Sequence, residues 1–319
     1  MSFDIITCGS ATLDVFAHTD NEQITVRHHK KKEIFMAYPA GGKLLIKSLK
    51  FELGGGGTNT AVGFARQGYK TAYLGALGND ETAIHIRNAL DKEKISFVGT
   101  HVDEISGYSI LLDSKQHDRT ALTYKGANNN LKIKSVPKAK AYYFSSMLGQ
   151  SLKTQLQIAK QAKKNKALVA YNPSLYQVKD KSIRPLLKLV DILIFNKEEA
   201  AALTNQHTLT NMHRAIQRLG IDIVIITDGP NTVTCSHRGL IALLKPKNVK
   251  VVEATGAGDA FASGFVGTFL YTKNISKSLI AGQENAQSVL QFVGAKAGLL
   301  DKTRLLKAKS EHLKIGHLN

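Results

Sequence analysis

The chain has 319 residues, a formal net charge of +18 and 43% hydrophobic residues, a composition typical of one large α/β domain or of one domain with an accessory piece. Its basic residues are mostly scattered and are not interleaved with aromatic residues, so they favour anionic small molecules and argue against a nucleic-acid-binding protein. No apolar run approaches the roughly 18–20 residues that a membrane span needs, and the first residues lack the basic start of a signal peptide.

The first third of the chain mixes two kinds of pattern. Residues 4–10 (DIITCGS) are an apolar, β-branched run that predicts a buried strand. A helix is predicted from Thr58 to about Gly68, then a strand over KTAYLGAL and a helix over DETAIHIRNALDKEK. The stretches 15–50 and 101–125 instead contain short β-like segments without a helical period, and the second predicts a hairpin.

From about Ala139 onward, strand and helix patterns alternate regularly. The strands are continuous apolar runs, which are typical of a parallel sheet covered on both faces. A hairpin is predicted around Arg238-Gly239, then a strand over KVVEA and two final helices, from Asp259 onward and over 276–294. We expect a three-layer α/β/α core formed by residues 1–14, 51–100 and 126–319, with a mostly parallel central sheet. Residues 15–50 and 101–125 are expected to form a small β-rich lid.

The first glycine-rich stretch is GGGGTNTA, residues 54–61, which joins a strand-like run to a helix. Its backbone can approach a ligand closely, and Asn59 offers both a hydrogen-bond donor and an acceptor to a hydroxylated ligand. The alternative is a flexible turn with an asparagine near a helix start. Neither a GxxxxGK[ST] nor a GxGxxG motif occurs, so a Walker A loop and a dinucleotide fingerprint are excluded.

The second glycine-rich stretch is TGAGD, residues 255–259, at a strand–helix junction. Backbone N–H groups of Ala257, Gly258 and Asp259 are predicted to point at one volume suited to an oxyanion. Asp259 could be a helix-capping carboxylate. However, a carboxylate beside an anion site is better placed to remove a hydroxyl proton next to a phosphoryl group.

Two segments, FELGGGGTNTAVGFARQGYKTAYLGALGND and EATGAGDAFASGFV, resemble the two signatures of the ribokinase-like (PfkB) carbohydrate kinase family. Three shorter motifs, GSATLD, NKEE and TDG, occur in the family's order, so the resemblance covers nearly the whole chain. It implies a ribokinase-like fold and an ATP-dependent phosphotransferase whose cofactors are ATP and Mg²⁺. It also implies that Asp259 is the base that activates the acceptor hydroxyl. The anion hole for the transferring phosphoryl group would be formed by Gly256, Ala257 and Gly258.

The resemblance assigns the remaining site residues by position. Mg²⁺ and its water shell would be positioned by Asn196 and Glu199. The nucleotide would be lined by Thr227 and Gly229. The acceptor would be held by Asp14, Gly55, Gly56 and Asn59, with Arg119 as a further candidate contact. On residue patterns alone, Asp14 and the TDG segment could be turn residues, Glu199 the acidic first turn of a helix, and Arg119 a surface residue.

The sequence departs from the family pattern at two positions. Glu253 stands where many members have aspartate, at a place associated with a monovalent cation. Glu253 and Thr255 are the candidate ligands for K⁺ there, but the glutamate side chain, longer by one methylene, argues against K⁺. Ribokinases carry a sugar-contacting glutamate where this chain has Met147 or its neighbours. An apolar residue there would leave room for the nucleobase of a nucleoside acceptor.

We therefore predict an ATP-dependent sugar kinase. The alternatives are a nucleoside kinase of the same family and, from another class, a catalytically silent basic binding protein. The partner is a small-molecule sugar or nucleoside rather than nucleic acid or membrane, and the lid could pair two copies into a homodimer. Cys8 and Cys235 form no CxxC pair, which favours reduced thiols in a cytoplasmic protein.

Overall fold

The computed structural model describes residues 2–19, 24–28, 31–35, 40–113 and 119–318; the side chains of residues 20–39 and 113–119 lie outside this description. The strands, in chain order, are β1 (Phe3–Cys8), β2 (Thr12–His18), β3 (Ile24–His28), β4 (Lys31–Phe35), β5 (Ser48–Gly54), β6 (Thr71–Leu74), β7 (Ala76–Leu77), β8 (Ser96–Phe97), β9 (Thr100–His101), β10 (Gly107–Asp113), β11 (Arg119–Tyr124), β12 (Ala139–Ser145), β13 (Leu168–Asn172), β14 (Ile192–Asn196), β15 (Ile223–Thr227), β16 (Val233–His237), β17 (Leu240–Leu244) and β18 (Leu313–His317). The helices are α1 (Gly56–Arg66), α2 (Glu81–Lys92), α3 (Gly149–Lys164), α4 (Leu175–Lys179), α5 (Arg184–Leu187), α6 (Lys197–Thr204), α7 (Leu209–Gln217), α8 (Ala257–Thr272), α9 (Ile275–Val289) and α10 (Lys302–Lys307).

A central ten-stranded sheet organises the described chain, in the order β18-β17-β16-β15-β14-β13-β12-β1-β6-β8. The seven strands from β8 to β15 pair in parallel, and β16 to β18 add an antiparallel edge. Helices α3 to α7 pack on one face, and α1, α2, α8 and α9 pack on the other. The predicted three-layer α/β/α fold with a mostly parallel sheet is thereby confirmed.

A second, smaller sheet has the order β11-β10-β2-β5. Strands β10 and β11 pair antiparallel, as the sequence predicted for residues 107–124, while β2 and β10 pair in parallel. Strand β5 is at one edge of this sheet and leads directly into the glycine-rich stretch. Within the described ranges, no helix is both long and apolar enough to cross a membrane.

One predicted strand and one predicted helix start are wrong. The segment KVVEA is not a strand; the amides of Val252 and Glu253 donate to the carbonyl of Leu290 instead. The position beside β17 is taken by β18, which the sequence pattern did not predict. Helix α1 begins at Gly56, two residues before the predicted start, because Gly55 at φ 94° turns the chain into the helix.

Candidate active site

The turn before α8 depends on a glycine that no other residue could replace. Gly256 has φ 80° and precedes the first helical residue. A Cβ atom there would lie 2.2 Å from Cβ of Ala295, closer than atoms can approach. By contrast, a Cβ on Gly258 would meet nothing within 4 Å, so the turn faces an open volume. The Ala257 amide already donates to the carbonyl of Ala254 at 3.3 Å, which leaves Gly258 and Asp259 as the freer donors of the three predicted amides.

The carboxylate of Asp259 lies in the first turn of α8 and faces the first glycine-rich stretch. Nδ2 of Asn59 donates to Oδ2 of Asp259 at 2.8 Å, across 200 residues of sequence. A Cβ on Gly56 would lie 3.3 Å from Oδ1 of the same carboxylate. Burial raises the pKa of Asp259, while Asn59 and the ammonium of Lys296 lower it. The structure therefore joins the two glycine-rich stretches at one partly buried carboxylate.

Asp14 lies on the lid side of this carboxylate, in β2. Its Oδ1 accepts a hydrogen bond from the Thr12 hydroxyl at 2.7 Å, and burial raises its pKa. A Cβ on Gly54 would lie 1.9 Å from Oδ2 of Asp14, so the carboxylate rests directly on the glycine backbone. Gly55 is equally constrained, because a Cβ there would lie 2.4 Å from the carbonyl oxygen of Ser10. Asp14, the glycines, Asn59 and Asp259 thus form one group.

The residues predicted for the nucleotide lie at the ends of two neighbouring strands. Asn196 ends β14 and is paired in register with Thr227, which ends β15. Asn196 and Glu199 form a reciprocal capping box, in which each side chain accepts the other's backbone N–H, at 2.8 and 2.9 Å. Burial raises the pKa of Glu199 to about 7. Gly229 follows with φ 52° and open space around it.

Tyr143, in β12, is fully buried. Burial raises its pKa well above the usual value, and the charges of both Asp259 and Glu199 add to the effect. The two carboxylates therefore both act electrostatically on the same buried phenol.

Two further predicted positions have different surroundings. Glu253 is buried, and its Oε2 accepts the Gly294 amide at 2.8 Å, while Thr255 is half-buried beside the turn. Arg119 begins β11 at the far end of the small sheet, opposite Asp113, and its side chain lies outside the described part of the chain.

The structure corrects the prediction for Met147. Its side chain is 3% exposed and packs in the main core, where its sulfur accepts the Cys8 thiol at 4.0 Å. Its side chain is therefore enclosed by the core and makes no room for a nucleobase. Ser145, two residues earlier, is the strand-end residue closest to the glycines: a Cβ on Gly56 would lie 2.9 Å from its hydroxyl.

Lys296 is the site residue that the sequence did not reveal. Its ammonium donates to the carbonyl of Leu53. Burial lowers its pKa to about 8, although the carboxylates of Asp14, Asp259 and Glu52 all act to raise it. No motif marks this lysine, because only the folded chain brings residue 296 beside residue 53.

Comparison with known proteins identifies relatives along most of the chain. A family model described as pfkB family carbohydrate kinase matches residues 23–302. A ribokinase from Haemophilus influenzae is 29% identical over 279 residues, which cover 84% of this chain and 90% of that protein. An adenosine kinase from Saccharomyces cerevisiae is 24% identical over 92% of this chain and 96% of its own length. The solved structure of Arabidopsis thaliana ribokinase complexed with ribose and ATP has the same fold, with a TM-score of 0.77 at 21% identity over 97% of this chain and all of that one.

Proposed function

This chain belongs to the pfkB family of carbohydrate kinases, and we propose that it transfers the γ-phosphoryl group of ATP to a hydroxyl group of a sugar. The family resemblance found in the two signature segments is confirmed by the match over residues 23–302. The observation that carries the proposed mechanism is the carboxylate of Asp259, held 2.8 Å from Nδ2 of Asn59 beside a glycine turn that opens on free volume.

Asp259 is the proposed general base. It accepts the proton of the acceptor hydroxyl as the new oxygen–phosphorus bond forms and the bond to the ADP leaving group breaks. The partial burial that raises its pKa also makes it a better proton acceptor than an exposed aspartate. Asn59 fixes the orientation of the carboxylate, so that one oxygen remains for the substrate.

The acceptor is proposed to lie on Asp14 and the glycine backbone. The buried Asp14 carboxylate accepts one bond from Thr12 and has further lone pairs for acceptor hydroxyl groups. Gly55 and Gly56 allow the acceptor to approach the backbone, with Asn59 beside them. Arg119 remains a proposed contact from the lid. The phosphoryl group is assigned to Gly256, Ala257 and Gly258, where helix N-terminal amides favour negative charge.

Thr227 and Gly229 are proposed to line the nucleotide, and Glu199 with Asn196 is proposed to hold Mg²⁺ through water. A buried carboxylate whose pKa is raised to about 7 suits a nearby cation, which would stabilise its ionised form. In the described residues, no cluster of three histidine, cysteine or acidic side chains could hold a metal by itself. Mg²⁺ usually keeps several waters and relies on substrate phosphates for most of its coordination. Bound there, Mg²⁺ would neutralise charge on the phosphates.

Glu253 and Thr255 remain the proposed ligands for K⁺. The buried Glu253 carboxylate lies close in the chain to the glycine turn before α8, and a buried carboxylate is a suitable ligand for a cation. One of its oxygens already accepts the Gly294 amide, so it also ties the loop after α9 to this turn.

The small sheet is proposed to act as a lid over the acceptor, formed by residues 15–50 and 101–125, with the core formed by 1–14, 51–100 and 126–319. Closure would exclude water, which otherwise competes for the phosphoryl group.

One face of this sheet carries exposed apolar side chains from three strands: Leu49, Phe51, Ile110, Leu122 and Tyr124. We propose that this face pairs with its copy in a homodimer. A cytoplasmic location is proposed because Cys8 and Cys235 are buried, unpaired thiols.

The proposed function is tested by measuring ADP formation with a panel of sugars and nucleosides at fixed ATP and Mg²⁺. We expect a sugar to stimulate ADP formation in the wild type, and Asp259→Asn to lose at least about a thousandfold of that activity while keeping its melting temperature. Stimulation by nucleosides alone would identify the nucleoside kinase instead. A fully active Asp259→Asn enzyme would refute the role of the base.

A further inference from the structure

We propose that Lys296 is a positioning residue for phosphoryl transfer: its ammonium holds the end of β5 next to Gly54 and Gly55, and its positive charge acts on the carboxylate of Asp259. The proposal rests on the proposed role of Asp259 as the base. It assigns a function to a lysine that lies outside both signature segments, and it identifies the loop after α9 as part of the active site.

The main chain of Lys296 is anchored to the core. Its carbonyl accepts a hydrogen bond from the guanidinium of Arg66 in α1 at 2.6 Å. Arg66 is itself held by a salt bridge of 2.6 Å to Glu93, and both side chains are about 70% buried. Two residues earlier, the Gly294 amide is held by Glu253. The lysine side chain therefore extends from a fixed point.

The ammonium reaches the lid at its hinge. Its acceptor, the carbonyl of Leu53, belongs to the edge strand β5, immediately before Gly54 and Gly55. Gly54 is the glycine on which Asp14 rests, and Gly55 begins the turn into α1. A displacement of Leu53 would therefore move Asp14 and the acceptor-binding backbone together.

The same ammonium interacts electrostatically with carboxylates on three elements. Asp14 of β2, Glu52 of β5 and Asp259 of α8 all stabilise its positive charge, while Arg66 of α1 opposes it. In return, Lys296 lowers the pKa of both Asp14 and Asp259, against the burial that raises them. A base must be ionised before it can accept a proton, so the lysine favours the competent form of Asp259.

Lys296 also lines a cavity of about 710 Å³ between β5 and α2. On the opposite wall Lys92 is exposed and His85 lies nearby. Lys92 lines the same cavity from α2, but it is not among the charges that shift the pKa of Asp14 or Asp259. It therefore provides a matched control for loss of a cavity-lining positive charge.

The test measures the pH dependence of acceptor-stimulated ADP formation, as kcat/KM between about pH 5 and 9, for three variants of Lys296. Lys296→Met removes both the charge and the bond to Leu53. Lys296→Gln removes the charge and keeps an N–H donor, on a side chain one atom shorter, and Lys296→Arg keeps the charge. We expect the acid limb of the profile to move upward by about half a unit to one unit in the two neutral variants, which lowers kcat/KM on the acid side by about three- to tenfold.

Lys296→Arg and the control Lys92→Met should keep the acid limb of the pH profile at its wild-type position. In Lys296→Met, the KM for the acceptor should also rise more than in Lys296→Gln, because the hinge bond is lost as well. Melting temperatures measured in parallel identify any variant that does not fold, and Lys296→Gln, which can still donate to Leu53, is the variant that decides. An acid limb of Lys296→Gln that coincides with the wild type overturns the proposal. If Asp259→Asn is inactive in the same assay, that result leaves the proposed function standing.

Discussion

Replacing Gly258 with alanine should separate folding from phosphoryl transfer. An added Cβ would meet no atom within 4 Å, and the position needs no left-handed backbone, so the folded chain accommodates alanine without strain. Alanine is favoured over glycine within helices by up to about 1 kcal/mol, and Gly258 lies in the first turn of α8. We therefore expect the melting temperature to stay constant or to rise by about 1–3 °C.

The same methyl group would stand in the open volume that we assign to the phosphoryl group. Displacing a reacting group by about 1 Å, or losing one donor of an anion hole, typically costs about a hundredfold in rate. We expect kcat/KM of Gly258→Ala to fall by at least that factor in the ADP assay.

Gly316→Ala is the matched control for this experiment. A Cβ on Gly316, in β18, would also meet nothing within 4 Å. Strand β18 is at the edge of the ten-stranded sheet and contains none of the predicted site residues, so the activity of this variant should not change. A Gly258→Ala enzyme with wild-type kcat/KM and unchanged KM for ATP would show that the turn does not hold the phosphoryl group closely. Our reasoning about the anion hole would then be refuted.

Two further predictions concern stability and assembly. Burial lowers the pKa of His213 from its ordinary value of 6.5 to about 4, so the unfolded chain binds a proton before the folded chain does. The free energy of unfolding should therefore fall by about 3 kcal/mol as the pH drops between these values, at about 1.4 kcal/mol for each pH unit. Denaturant unfolding at a series of pH values should show this loss in the wild type and not in His213→Gln; the same pH dependence of the free energy of unfolding in both proteins would contradict it. For the homodimer, Phe51→Glu should convert a dimer into a monomer in sedimentation velocity, since Phe51 is 57% exposed on the apolar face of the small sheet. Leu219→Glu, at a similarly exposed position outside the small sheet, should not. A monomeric wild type would exclude the proposed dimer.

The sequence predicted best the parts of the fold that depend on local pattern. Parallel strands such as β15 are buried on both faces and therefore read as continuous apolar runs, which made the α/β alternation visible. The glycine turns were visible because Gly256 has no sterically acceptable substitute, so its residue type reports a backbone constraint.

What the sequence did not predict depends on contacts between distant residues. Strand β18 pairs with β17 across about 70 residues, and it fills the edge that the apolar segment KVVEA was expected to occupy. Lys296 meets Leu53 across 243 residues, and nothing in its neighbourhood, GAKAG, distinguishes it from a surface lysine. The direction of the Met147 side chain was equally invisible, because Met147 lies in the irregular connection between β12 and α3, where no periodic pattern indicates which side chains enter the core.

The net charge of +18 and the charges of the site have opposite signs, and this contrast bears on which substrate the basic surface serves. Asp14, Glu52 and Asp259 act electrostatically on the ammonium of Lys296, and these three carboxylates suit the hydroxyl groups of the proposed acceptor better than an anionic acceptor. ATP carries the negative charge of the reaction, and its phosphates are assigned to helix N-terminal amides rather than to these carboxylates. A basic exterior raises the encounter rate of an anion by long-range attraction that salt screens. The charge excess is therefore expected to act on the capture of ATP, whereas the local carboxylates act on the acceptor.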